Sequence, residues 1–310
     1  MAGLEIVPFT DEHVAVAASL LAERHARHRD VEPLLPNGLD FVQHVRGEWE
    51  TEGSSGAVAL EGGEPVGYLI GQHRDDAIGP HIWSHVAGQA VRTPEVARDL
   101  YRLAATRWVD EGLTRHFVFV PALPDLIEPW FRLSFGASAA LATRETGGAP
   151  VAVDGVTVRR STPADLDAAA SFDRLLGEHL KQPPSFGGLP VPALREYVDD
   201  WRDTWDEEER YTHFVAERKE AVVGHLLLYR RPADLRVPAD GIDLANCATE
   251  PGLRGSGVGV ALTTYALAWA REHGYPTMIT DWRMTNLEAS RFWPRRGFRE
   301  TFLRVYRSIP

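Results

Sequence analysis

A chain of 310 residues is long for one compact domain and natural for two of about 150 residues each, and its 44% hydrophobic content is enough for real cores. The formal net charge of −11, from 44 acidic against 33 basic residues, argues against duplex nucleic acid or an anionic membrane as the main partner. The single cysteine, Cys247, excludes an internal disulfide framework and a cysteine-rich zinc site; with no charged start before an apolar run and no stretch long enough to span a bilayer, the expected location is the cytoplasm.

Leu4-Glu5-Ile6-Val7-Pro8-Phe9 alternates like a strand, and Thr10-Asp11-Glu12 then caps a helix through Val14, Ala18 and Leu21 toward Arg27. Residues 56–60 and 65–70 flank the turn Glu61-Gly62-Gly63-Glu64, which is a hairpin signal. Residues 82–86 suggest another strand, Pro94 to Gly112 a helix, and 116–120 a buried strand ended by Pro121. The run from Phe131 to Gly136 closes a short helix.

After Gly147-Gly148-Ala149-Pro150 the pattern begins again. Val156-Thr157-Val158-Arg159 is a strand, and Ser161-Thr162-Pro163-Ala164-Asp165 starts a helix with threonine at the cap and proline at the first helical position. Residues 213–216 and 222–228 form a second hairpin around Arg218-Lys219-Glu220. Leu4 falls on Val156, Gly67 on Gly224 and Gly136 on Gly297, so the halves read as a tandem duplication of one α/β module.

Ile242 to Thr249 reads as a strand running into Glu250-Pro251-Gly252-Leu253-Arg254-Gly255-Ser256-Gly257-Val258-Gly259, a glycine turn that opens a helix. Three alternate glycines remove Cβ atoms there, so the amides of Gly255, Ser256, Gly257, Val258 and Gly259 can converge on a ligand. Helix-start amides carry partial positive charge, and a pyrophosphate suits them best. Arg254 adds a full cation at the rim. The first half has Arg92-Thr93-Pro94-Glu95-Val96-Ala97-Arg98-Asp99 at the corresponding place, where Cβ atoms and two carboxylates oppose such a ligand.

The order Arg-Gly-x-Gly-x-Gly closely resembles the acyl-CoA pyrophosphate loop of the GCN5-related N-acetyltransferase (GNAT) superfamily. Asn286-Leu287-Glu288-Ala289-Ser290-Arg291-Phe292-Trp293, followed by Gly297-Phe298, is similar to a second signature of that family. The resemblance implies an α/β (α+β) fold of two tandem GNAT-like modules, each a mixed, mostly antiparallel twisted sheet flanked by helices. Residues 1–146 would be a degenerate module without a pyrophosphate loop, 147–155 a linker, and 156–310 the acyl-CoA-binding module.

The same resemblance implies acetyl-CoA as acyl donor, with Cys247, Ala248 and Thr249 along the pantetheine and thioester. Arg254, Gly255, Ser256, Gly257, Val258 and Gly259 would hold the pyrophosphate, and Asn286 would bond the pantetheine from the other wall. A deprotonated amine then attacks the thioester directly. Asp243, four residues before Cys247, is the expected base, and Glu250 the second choice. Relatives often have a tyrosine where Trp293 stands, and an indole cannot protonate a thiolate, so Ser290, Tyr306 or water is left for that role. The expected partner is a small-molecule primary amine, with a second copy of the chain as a further candidate. A non-catalytic acyl-CoA sensor is the alternative.

Other signals are weaker. Cys247 on an apolar strand reads as a small buried residue rather than a nucleophile. His25 and His28, or His81 and His85, lack a third ligand, so no metal is expected. The acidic aromatic segment from Tyr197 to Glu209 reads as a helix with core tryptophans and a solvated acidic face that could draw in a cationic amine. The loop from Pro183 to Pro190 is a lid candidate. A dinucleotide fold would need Gly-x-Gly-x-x-Gly and more βα units after Asp281 than the chain supplies.

Overall fold

The computed structural model describes residues 3–310, which divide into two compact units. The first takes the chain up to Leu141 together with Asp234–Arg236 and Glu300–Pro310; the second takes Ala142–Ala233 and Val237–Arg299.

In the first unit the order is β1 (Leu4–Pro8), α1 (Val14–Val31), α2 (Phe41–Glu50), β2 (Ser54–Glu61), β3 (Glu64–Asp76), β4 (Gly79–Ser84), β5 (Gln89–Val91), α3 (Val96–Asp110), β6 (Arg115–Pro121) and α4 (Pro124–Arg132). A strand β7 (Gly136–Glu145) then carries the chain out of this unit. The second unit repeats the succession with β8 (Thr157–Arg160), α5 (Leu166–Lys181), α6 (Leu194–Asp206), β9 (Tyr211–Arg218), β10 (Ala221–Tyr229), β11 (Gly241–Thr249), α7 (Val258–Glu272), β12 (Thr277–Arg283) and α8 (Leu287–Arg295). The last strand, β13 (Arg299–Ser308), is in register with β6, from Phe302 opposite Pro121 to Ser308 opposite Arg115, so the chain's end completes the first unit's sheet.

Each sheet is mixed and mostly antiparallel. The neighbours run β1-β2-β3-β4-β6-β13 in the first unit and β8-β9-β10-β11-β12 in the second. The parallel pairs are β4 with β6 and β11 with β12. Both hairpins turn on two residues with left-handed backbone, Gly62 and Gly63 in the first unit and Lys219 and Glu220 in the second. Two consecutive positive φ angles match the right-handed twist of the flanking strands, which is why such a turn suits a two-residue connection. Lys219 and Glu220 adopt it with a Cβ penalty that glycine avoids.

Helices cover both faces of the second sheet. Phe214 meets Tyr265 and Trp269 of α7 edge-on, at 5.2 and 5.5 Å between ring centroids. His213 meets Trp201 of α6 at 4.7 Å, and His225 stacks on Phe172 of α5 at 5.6 Å. Alternate residues of a strand point to opposite faces, so His213 and Phe214 serve different layers. No helix among the described residues is long and apolar enough to cross a membrane.

The sequence pattern marks neither α2 nor β13. Asp40 caps α2, accepting from the Gln43 amide at 3.0 Å, and the helix buries only Val45 and Glu48.

Candidate functional site

The site grows from one irregularity in β11. Leu227 of β10 pairs with Asn246 and Leu228 with Leu244, so Ala245 is an extra residue with no partner, a β-bulge. On the other side, β11 pairs with β12 only from Gly241–Thr277 to Leu244–Thr280. Thr280 Oγ1 donates to the Leu244 carbonyl at 2.9 Å and fixes that last rung. Beyond it the two parallel strands part. From Asn246 to Thr249 β11 remains paired to β10 alone, and an edge strand presents unpaired N–H and C=O groups to whatever enters beside it.

The gap is a cleft of about 780 Å³. Ala245 to Thr249 and Asp281 to Arg283 form two walls, with Leu175, Leu176, His179 and Leu180 of α5 and the first turns of α8 around them. All of these residues belong to the second unit. Pockets of this size suit ligands with both apolar and polar parts. Although the chain is acidic, Arg254, Arg283, Arg291, Arg295 and Arg296 line the cleft against only Asp281 and Glu288. Such a local balance favours a polyanion.

At the end of β11 the glycine turn makes the cleft's rim. Gly255 and Gly257 have φ of 79° and 93°, the left-handed region in which a Cβ is strained, and a Cβ on Gly257 would also meet Val153 Cγ2 at 3.1 Å. α7 starts at Val258, and its first internal bond is from the Ala261 amide to the Gly257 carbonyl. The amides of Val258, Gly259 and Val260 precede that bond and line the cleft at the positive end of the helix. The cradle fits a pyrophosphate.

Most of the expected binding residues converge here. Cys247, Ala248, Thr249, Arg254, Gly255, Gly257, Val258, Gly259 and Asn286 all line the cleft. Ser256 does not: its amide and its hydroxyl both donate to the Leu253 carbonyl, at 3.1 and 2.6 Å, closing the turn on itself. Asn286 has its oxygen engaged as the cap of α8, accepting from Ala289 N at 3.2 Å, so its Nδ2 is what it can offer a ligand. Burial pushes the Cys247 thiol up to about 12, so it stays protonated near neutral pH and is not a nucleophile.

The expected acid–base residues fall elsewhere. Asp243 is buried, accepts from Arg231 Nη1 at 2.8 Å, and does not line the cleft; an ion-paired carboxylate there is a poor base. Glu250 is exposed at the end of β11, where its carbonyl caps the turn Pro251–Leu253. Ser290 turns its hydroxyl back to the Leu287 carbonyl at 3.4 Å. Tyr306 belongs to β13 in the first unit and stacks on Phe117 at 4.6 Å. Strand pairing sets it opposite Phe117 of β6.

Two groups escape sequence reasoning. His179 of α5 stands at the cleft's mouth, with Glu288 Oε2, Asn286 Oδ1 and Arg254 Nη2 each at 3.4 Å. Glu288 also approaches Arg254 Nη1 at 3.5 Å, so one carboxylate bridges the glycine turn, α5 and α8. Deeper, Asn246 Nδ2 donates to Asp173 Oδ1 at 2.7 Å, beside the buried pair His213 and His225, whose rings approach at 3.2 Å. The signal available was a histidine inside each strand of the second hairpin, beside the apolar runs 214–216 and 226–228. His25, by contrast, is structural: its Nε2 bonds the Pro36 carbonyl at 2.8 Å.

The acetyltransferase (GNAT) family matches residues 177–298, which contain the bulge, the glycine turn and α8. Residues 177–298 are a GNAT domain. Acyl transfer is the general chemistry of that family. Over 98% of this chain and 95% of the other, the structure is similar to a GCN5-related N-acetyltransferase from Sphaerobacter thermophilus, with a TM-score of 0.63 and 13% identity. A tandem GNAT protein from the clavulanic acid biosynthesis pathway aligns over 99% of this chain and 98% of its own, with a TM-score of 0.55 and 14% identity. A GNAT-family acetyltransferase from Colwellia psychrerythraea aligns over 99% and 100%, with a TM-score of 0.52 and 14% identity. At these identities the likeness is one of fold, and it extends over both units. Among curated proteins none matches the sequence.

The GNAT plan also explains the first unit. Its own parallel pair, β4 with β6, runs only from Ile82–His116 to Ser84–Val118. Beyond Ser84, Arg24 of α1 sends its guanidinium to the carbonyls of Gln89 and Val86. Arg24 is 4% exposed, and Val86, Ala87, Tyr68 and Phe119 are buried in the same core. The place that is a cleft in the second unit is filled by protein side chains in the first.

Proposed function

We propose that the second unit is an acetyl-CoA-dependent N-acyltransferase that passes the acetyl group to a primary amine of a small molecule. The observation that carries this reading is the parting of β11 from β12 after Leu244 and Thr280, with a glycine-built anion cradle at the end of the freed strand. Acetyl-CoA would supply an activated thioester. The amides of Val258, Gly259 and Val260, with Arg254, would hold its diphosphate, while the free edge of β11 at Cys247 to Thr249 would hold the arm that carries the acyl group. The residues of this chain then orient the acceptor, exclude water and accept its proton. The partner is a small metabolite in the cytoplasm, with neither nucleic acid nor membrane required.

Acetyl-CoA titrated calorimetrically should bind once per chain and release free thiol when primary amines are added. Gly257→Glu places a carboxylate and a strained Cβ in the cradle and should abolish binding, more than 100-fold or about 3 kcal/mol. Binding undiminished in that variant would remove the anion cradle from the account.

A second reading has its own support: no tyrosine lines the cleft, and Asp243 is engaged by Arg231. A non-catalytic acyl-CoA sensor would bind acetyl-CoA equally well and release no thiol with any amine.

A further inference from the structure

The diphosphate cradle leaves most of the cleft's positive charge unused. Arg291 and Arg295 on α8, and Arg296 just beyond it, line the same cleft, the first two with exposed side chains. On other helices of this chain an arginine finds a glutamate one turn away: Arg107 meets Glu111 at 2.8 Å on α3, Arg132 meets Glu128 at 3.0 Å on α4, and Arg174 meets Glu178 at 3.0 Å on α5. The one acid of α8 is Glu288, and its carboxylate is turned to Arg254 and His179. Among the described residues no carboxylate pairs with Arg291, Arg295 or Arg296, whereas Arg299, a turn further on, is paired with Glu145 at 2.9 Å. Arg291 and Arg295 stand at i and i+4, so α8 also carries two like charges side by side on one face, which destabilises a helix unless an anion joins them.

Phe292 shows which end of the cleft this charge serves. Its ring lies against the start of α7, with Cε2 and Cζ each 3.5 Å from the place a Cβ would take on Gly259. That place is 3.8 Å from Thr249 Cγ2, at the end of β11 away from the bulge. The Arg296 guanidinium lies 5.2 Å from the centroid of the same Phe292 ring. The patch therefore flanks the cradle at Gly259, while the bulge at Ala245 lies four residues of strand, about 13 Å, back along β11.

We propose that Arg291, Arg295 and Arg296 hold the 3′-phosphate of the acyl donor, so that the cleft favours CoA over its 3′-dephospho form. The ligand's identity rests on the acyl-CoA reading. Coenzyme A carries its third phosphate on the ribose next to the diphosphate, as a monoester that is close to dianionic near neutral pH. Guanidinium groups meet a phosphate with paired N–H donors and full charge, and a dianion between Arg291 and Arg295 replaces their repulsion with a shared attraction. An anionic group on the acceptor would lie beside the thioester, further back along β11, and so away from this patch.

Calorimetry on the full chain at low salt compares CoA with 3′-dephospho-CoA. CoA should bind at least about tenfold more tightly, and the preference should shrink as ionic strength rises. Adenosine 3′,5′-bisphosphate should be preferred over 5′-AMP in the same sense, since that pair differs in the same phosphate and has no pantetheine arm. The double variant Arg291→Gln/Arg295→Gln should bring the CoA preference to within about twofold, chiefly by weakening CoA, and its retained binding of dephospho-CoA shows that it is folded. Equal affinities in the native chain, or a preference that survives the double variant, would overturn the proposal and leave the acyl-CoA reading standing. Failure of both CoA and dephospho-CoA to bind would overturn the two together.

Discussion

At the scale of single residues, the cleft's mouth is governed by Glu288. It lies 3.5 Å from Arg254 Nη1 and 3.4 Å from His179 Nε2, so it occupies the cation that a diphosphate would use. An entering anion must displace that carboxylate and work against its charge. Glu288→Gln should therefore tighten acetyl-CoA binding by about two- to fivefold, roughly 0.4–1 kcal/mol, since exposed ion pairs are worth at most about that much. Calorimetry at low and high salt checks both the sign and the screening: the gain should shrink as ionic strength rises. An affinity that falls in the variant would make Glu288 part of the binding site rather than its competitor. The same scale accounts for Cys247, whose protonated thiol leaves it as a wall of the cleft.

At the scale of elements, the units differ in what lies in the gap beside a short parallel strand pair. In the second unit Leu176 of α5 lines the cleft; 152 residues earlier, at the offset of Leu4 from Val156, stands Arg24. A leucine reaches no carbonyl, whereas the guanidinium of Arg24 satisfies those of Val86 and Gln89 and occupies the space. Burial lowers the Arg24 pKa to about 10, still far above neutrality, so the plug remains charged in the core. Arg24→Ala should leave two buried carbonyls without donors and a cavity, costing about 3–5 kcal/mol. Urea unfolding of the two proteins measures it. A loss below about 1 kcal/mol would mean that the core closes over the gap without the arginine.

At the scale of the whole molecule, both units bury neutral histidines. Burial takes His28 of the first unit and His225 of the second down to about 3, and His213 well below its ordinary value. Above pH 6.5 folded and unfolded chains bind these protons equally. Between pH 6.5 and about 3 the unfolded chain binds more, so stability falls with falling pH throughout that window. Asp165, held at about 2 chiefly by Arg159, adds a further loss only below the ordinary carboxylate value of 3.8. Each buried histidine should therefore cost on the order of 2 kcal/mol at pH 5 relative to pH 7. Urea midpoints at the two pH values check this, and a flat profile would mean that the histidines accept protons in the folded state.

The sequence by itself determined the features that depend on neighbours in the chain. Period-2 and period-3.6 patterning placed β1, β2, β3, β9, β10, α1 and α7, and the glycines marked the turn before Val258, because strand alternation, helix starts and left-handed turns are set within a few residues. Only the tertiary structure decided where long-range partners fall. It gave β13 to β6, and with it took Tyr306 out of the second unit; it paired Asp243 with Arg231, turned Ser256 inward, and joined Asp173 of α5 to Asn246 across 73 residues. Strand order and ion pairing are settled by which surfaces meet when the core closes, and no local preference encodes that choice.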